Sequence, residues 1–130
     1  MSFDPREQSR RLLDWNRYHL VAGVPLHESD IAQWFAAEFT VRANGHSHPA
    51  DYVTYLEFLN GFRATIERID YDVHETVAEG SRVVLPMTAH ITRVHGEHDR
   101  FEAMLLLDFN PQGHVRLWHE VYLSASGRGG

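Results

Sequence analysis

The chain has 130 residues, of which 43% are apolar, 12% aromatic and 23% charged, the composition of one globular domain whose core needs no metal or disulfide staple. All twelve basic residues are arginine and there is no cysteine, which excludes Schiff-base and pyridoxal chemistry at a lysine, a phosphate-loop lysine, thiol nucleophiles, thiolate zinc sites and disulfides. Eighteen acidic residues leave a net charge of -6, the wrong sign for a phosphate backbone, and no local basic stripe offsets it, so no nucleic-acid partner is expected. No apolar run approaches the ~18 residues of a membrane span, and the expectation is a cytoplasmic protein without a membrane partner.

Asp4-Pro5 predicts a helix start, with the aspartate as cap and the proline at the first helical position. Leu12, Leu13, Trp15, Leu20 and Ala22 then share one arc, opposite Arg10, Asp14, Arg17 and Val21. Gly23 and Pro25 close this helix, and Ser29 or Asp30 caps a second, shorter one that carries Ile31, Trp34 and Phe35 inward. A strand-like run, Phe39 to Arg42, ends at the turn signal Asn44-Gly45. Pro49 opens a third helix with an inner arc of Tyr52, Tyr55, Leu56, Leu59 and Phe62. The period then changes to two: Ile69, Tyr71, Val73 and Val77 alternate with polar residues, and Glu79-Gly80 turns the chain. Three further strands, about Arg82 to Val94, Arg100 to Phe109 and His114 to Leu123, complete an antiparallel meander. Residues 1–123 read as a single domain, and the small polar tail Ser124 to Gly130 reads as disordered.

Three helices and a mainly antiparallel sheet make an α+β protein. The element order, together with Trp34 to Val41, Gly80 to Val84 and Asp108-Phe109-Asn110-Pro111-Gln112-Gly113-His114-Val115, resembles the nuclear transport factor 2-like superfamily, in particular its SnoaL-like and ketosteroid-isomerase-like branches. The resemblance implies a cystatin-like cone whose curved sheet and helices enclose an apolar pocket, commonly in a dimer. It implies activities from polyketide cyclase-like, isomerase and dehydratase chemistry to plain binding.

Ten histidines raise the question of a metal. Gly45-His46-Ser47-His48 has the His-x-His spacing of a cupin motif, but the next glutamate, Glu57, falls on the polar face of a predicted helix, and His95-x-x-His98 reads as a solvated turn. No metal and no cofactor are expected. In the first helix Asn16 and His19 lie within the apolar arc and must find partners there. His19 is either a core histidine bonded to a backbone carbonyl or a donor into the pocket, and the resemblance places a donor near Tyr18 or His19.

Strand parity sorts the meander into two faces. One holds Val83, Leu85, Met87, Ala89, Ile91, Met104, Leu106, Leu117, Val121 and Leu123; the other holds Thr88, His90, Thr92, Phe101, Ala103, Leu105, Leu107, Trp118, Glu120 and Tyr122. Pattern alone does not say which looks at the helices; the resemblance implies that the second set lines the pocket. His90 would then face Glu120, a carboxylate among aromatic and aliphatic side chains whose pKa should rise. The resemblance also implies that an acid/base carboxylate of SnoaL-like cyclases stands at a place similar to Glu120. Ala43 and Leu105 occupy the places of the two aspartates of steroid isomerases.

The resulting expectation is a cofactor-free acid/base enzyme acting on a small, mainly apolar carbonyl or hydroxy compound. Glu120, His90 and His19 are the catalytic candidates, and Tyr18, Trp34, Tyr55, Thr88, Leu105, Trp118 and Tyr122 the ligand-binding ones. The alternative is a non-catalytic small-molecule-binding or dimerisation module of the same fold, which separation of His90 from Glu120 would favour; Glu120 itself is otherwise a rim residue or the anchor of His90 or an arginine. The first face, as an outer surface, would leave a large apolar area for a homodimer to cover.

Overall fold

A computed structural model describes residues 3–125. The Asp4 carboxylate accepts from the Arg6 amide at 3.0 Å and Pro5 takes the first position of α1 (Pro5–His19), where a missing amide proton costs nothing. Leu12, Leu13, Trp15 and Asn16 are its buried side. The helix ends at His19, short of Leu20 and Ala22, because the chain there is recruited by other elements. The Ala22 amide donates to the Ile66 carbonyl at 2.8 Å, and Arg63 Nη1 donates to the carbonyls of His19, Val21 and Val24 at 3.0, 3.0 and 2.5 Å, serving acceptors the helix leaves open.

Helix α2 (Glu28–Ala32) is capped by His27, whose amide donates to Asp30 at 2.8 Å, and not by Ser29 or Asp30. Ile31 points inward as expected, but Trp34 lies beyond the helix and Phe35 opens β1 (Phe35–Ala43). Asn44 and Gly45, at φ 47° and 90°, have the paired positive φ of a tight hairpin turn and lead into β2 (His46–Ala50), which the sequence reading did not anticipate. Pro49 therefore belongs to an edge strand, where its missing donor is tolerated. Helix α3 (Tyr52–Arg63) starts instead at Asp51, whose carboxylate accepts from the Thr54 amide at 2.9 Å while Thr54 Oγ1 accepts from the Asp51 amide at 3.1 Å. Tyr55 and Leu59 are its buried residues and Phe62 is 38% exposed, so the inner arc is narrower than the periodicity suggests.

The remaining strands are β3 (Ile66–Val73), β4 (Val77–Glu79), β5 (Arg82–Arg93), β6 (His98–Phe109) and β7 (Val115–Ser124). The sheet runs β2-β1-β7-β6-β5-β3, with β4 added to β5. Every pairing is antiparallel except β1 with β7, which is parallel. The turns of the Asp108 to Val115 segment are tied by its own side chains: Asn110 Oδ1 accepts from the amides of Gln112 and His114, and buried Asp108 takes the Ser81 hydroxyl at 2.6 Å and Arg116 Nε at 3.1 Å. Ser124 is the last residue of β7 and the Ala125 amide donates to the Arg100 carbonyl, so these two residues belong with the sheet; the rest of the expected tail, 126–130, lies outside the described residues.

The register corrects the predicted faces. Across β5, β6 and β7, Val83 pairs with Leu107 and Trp118, Leu85 with Leu105 and Glu120, and Met87 with Ala103 and Tyr122. Paired residues share a face, so Val83, Leu85, Met87, Ala89 and Ile91 look inward. Val83, Leu85, Met87 and Ile91 are at most 3% exposed. Thr88, His90 and Thr92 look outward with Glu102, Arg100 and His98. Parity within β5 was read correctly, but its phase against β6 was off by one residue, which flips a whole strand. No helix among the described residues is long and apolar enough to cross a membrane.

Candidate active site

Glu120 lies in the row Ala43, Glu120, Leu105, Leu85, one residue from each of four adjoining strands. Both of its flanking neighbours are apolar and one is a methyl group. Trp118, two residues earlier on the same face, donates from Nε1 to Glu120 Oε1 at 3.3 Å. No arginine or histidine pairs with the carboxylate among the described residues, so it is not the anchor of a cation. Burial raises its pKa above the ordinary carboxylate value, and the Trp118 hydrogen bond lowers it by less.

Two buried phenols lie within electrostatic reach of Glu120. Tyr55, from α3, is 7% exposed and packs on Phe35 and Phe39 of β1 with ring centroids 4.9 and 5.1 Å away. Tyr71, from β3, accepts a 3.3 Å hydrogen bond on its hydroxyl oxygen from Asn16 Nδ2, which leaves the phenolic proton free to donate elsewhere. Burial, reinforced by the negative charge of Glu120, pushes both phenols well above the usual tyrosine range. They therefore stay protonated. The Tyr55 hydroxyl has no hydrogen-bond partner among the described residues. The arrangement offers one carboxylate that can exchange a proton and two phenols that can hold an oxygen.

Of the other candidates, Leu105 and Trp118 share the inward side with Glu120, and so does Tyr122, which is 41% exposed and edge-on to Phe101 at 5.9 Å. His90 does not join them. It points to the opposite side of the sheet, beside His98 at a ring distance of 6.3 Å. Thr88 is likewise outward, donating its hydroxyl proton to Glu102 at 2.9 Å and so accepting from His74 Nε2 at 3.0 Å. Tyr18 is 67% exposed. His19 is half-buried; it stacks on Trp15 at 4.5 Å, and its Nδ1 lies 3.1 Å from the Trp15 carbonyl. Trp34 is half-buried, with an indole N–H that has no partner among the described residues. Tyr71 was missed as a site residue. The signal was present, since it follows the inward parity of Ile69 and Val73, and Asn16 needed a partner.

The fold matches solved structures over nearly the whole chain. A protein assigned as a SnoaL-like polyketide cyclase from Shewanella denitrificans superposes with a TM-score of 0.77 at 8% identity, covering 92% of this chain and 90% of that one. The chain has the nuclear transport factor 2-like fold. An epoxide hydrolase of the LEH-like type from M. tuberculosis gives 0.71 at 10% identity, covering 92% and 82%, and a nuclear transport factor 2-like protein of unknown function from Exiguobacterium gives 0.68 at 12%, covering 92% and 99%. Identities this low establish architecture alone. No family model and no curated protein matches the sequence. Within this nuclear transport factor 2-like frame Ala43 and Leu105, the positions compared above with the aspartates of steroid isomerases, are the two residues flanking Glu120. Among the described residues, the Ala43, Glu120, Leu105, Leu85 row thus holds one carboxylate, Glu120.

Proposed function

We propose that the protein is a cofactor-free acid/base catalyst of SnoaL-like type, with Glu120 exchanging a proton with a small, mainly apolar carbonyl or hydroxy compound bound on the inward side of the sheet. The observation that carries the reading is the lone, cation-free carboxylate among Ala43, Leu105, Trp118 and the phenols. Desolvation makes Glu120 a better base than a surface carboxylate once ionised, and a group that can also hold its proton at higher pH. Tyr55 and Tyr71 donate to the oxygen on which charge develops, and Leu85, Leu105 and Leu107 exclude water from it.

We also propose a homodimer through the outer sheet face, now without the β5 residues first assigned to it. Met104, Val121 and Leu123 are 56%, 54% and 64% exposed there, adjoining Leu106 and Leu117.

Deuterium exchange tests the chemistry without knowledge of the natural substrate. A panel of small cyclic and aryl ketones in D2O should include members that gain deuterium beside the carbonyl faster with protein than with buffer, and Glu120→Gln should lower that rate about 100-fold. Full exchange by the variant, or none above buffer across the panel, refutes the reading.

A further inference from the structure

His46 and His48 of the Gly45-His46-Ser47-His48 segment were set aside as metal ligands, and no group of three metal-binding side chains forms among the described residues. The register gives them another place. His46 pairs with Ala43, and Ala43 pairs with Glu120, so the three lie in one row across β2, β1 and β7. His48 pairs with Val41, and Val41 with Trp118, in the next row. Paired residues share a face in parallel and antiparallel ladders alike, so both histidines lie on the side of Glu120. The other histidines within strands, His90, His98 and His119, lie on the opposite side.

The turn before His46 is fastened to the strand that carries Glu120. The Asn44 amide donates to the Glu120 carbonyl at 3.0 Å, and Asn44 Oδ1 accepts from the Tyr122 amide at 2.8 Å. The hairpin tip is therefore held in register with the site.

We propose that His46 is the second acid–base group of this site, set opposite Glu120 across Ala43; the inference rests on the proton-transfer reading of Glu120. Neighbouring strands stand about 4.8 Å apart, so the two backbones are about 10 Å apart. Two contacts of about 2.8 Å, one from each side chain, leave about 4 Å between the ligand atoms they reach. The carbon beside a carbonyl and the carbonyl oxygen are two bonds, about 2.4 Å, apart, so each side chain leans inward over Ala43 by about 1 Å to reach both. A longer side chain at 43 would fill the space; alanine leaves it open.

In the step, the Glu120 carboxylate takes the proton from the carbon beside a carbonyl. The C–H electron pair forms the carbon–carbon double bond, the carbonyl pair moves to oxygen, and that oxygen takes a proton from the His46 imidazolium. The products are the enol, the Glu120 carboxylic acid and neutral His46; reversing the transfers at another carbon completes an isomerisation. The buried phenols hold the oxygen but do not release their protons near neutrality. A histidine can. This makes enolisable ketones with an apolar body the expected ligand class.

The titratable side chains on the same side as His46 along its own strand and β7 are His48, Glu120 and Tyr122. The Asp51 carboxylate at the α3 terminus is engaged by the Thr54 amide. His46→Gln, at an exposed strand position, should keep the wild-type Tm to within about 2 °C, so that a loss of exchange reports chemistry rather than folding. In the deuterium exchange assay His46→Gln should lose at least tenfold. Full exchange by His46→Gln beside an inactive Glu120→Gln overturns the role of His46 alone, whereas full exchange by Glu120→Gln overturns the reading of the site.

Discussion

Leu85→Ala and Met104→Ala together test the phase of β5 on which the whole site depends. Leu85 is 2% exposed and sits in the Glu120 row, whereas Met104 is 56% exposed on the far side of the sheet. Truncating a buried leucine loses its transfer free energy and leaves a cavity between Leu105 and the helices, at a cost of about 3 kcal/mol. For a domain of this size that lowers Tm by roughly 10 °C. Met104→Ala removes a side chain already mostly in water and should cost within about 0.5 kcal/mol for the monomer. Thermal and urea unfolding by circular dichroism, at concentrations where light scattering finds monomer, measures both. Equal losses, or a larger loss for Met104→Ala, would refute the register and with it the separation of His90 from Glu120.

Glu120→Gln should also stabilise the fold in a pH-dependent way. Burial raises the folded-state pKa above the ordinary value of 4.5, so between the two values the folded chain binds more protons than the unfolded one and wild-type stability falls as pH rises. The variant has no charge to bury; its advantage in urea titrations should be absent near pH 3, grow from about pH 4.5 upward and then level off, and a variant no more stable at pH 8 than at pH 3 contradicts the desolvated carboxylate. Met104→Asp with Val121→Asp should convert a dimer to monomer by light scattering without loss of Tm in the monomer, and an unchanged mass removes the outer-face dimer.

What the sequence made legible were features written locally. Asp4-Pro5 and Asn44-Gly45 act within a few residues, and Trp118, Glu120 and Tyr122 alternate on one strand whatever that strand pairs with. The phase of β5 was not legible because Val83, Leu85 and Met87 alternate with Val84, Pro86 and Thr88, so both faces begin apolar and only the ladder to β6 decides between them. β2 was hidden by its composition: His46-Ser47-His48-Pro49 has no alternation of apolar side chains to report a buried face, and edge strands do not need one. Asn16 announced a buried polar group, but its partner Tyr71 is 55 residues away, beyond any periodicity.

The parallel pairing of β1 with β7 has a consequence for how the chain acquires its structure. β7 comes after every other strand in sequence yet stands between β1 and β6, so β1 and β2 cannot join the rest of the sheet until it is in place. Before then the β1–β2 hairpin and the β3 to β6 portion each present an open edge, the surface on which chains associate wrongly. Closing so long a loop is entropically slow. Assembly therefore awaits emergence of the β7 segment from the ribosome, and a transcript stopped within the Asn110 to His114 turn would yield two unjoined half-sheets, with Glu120 absent from both.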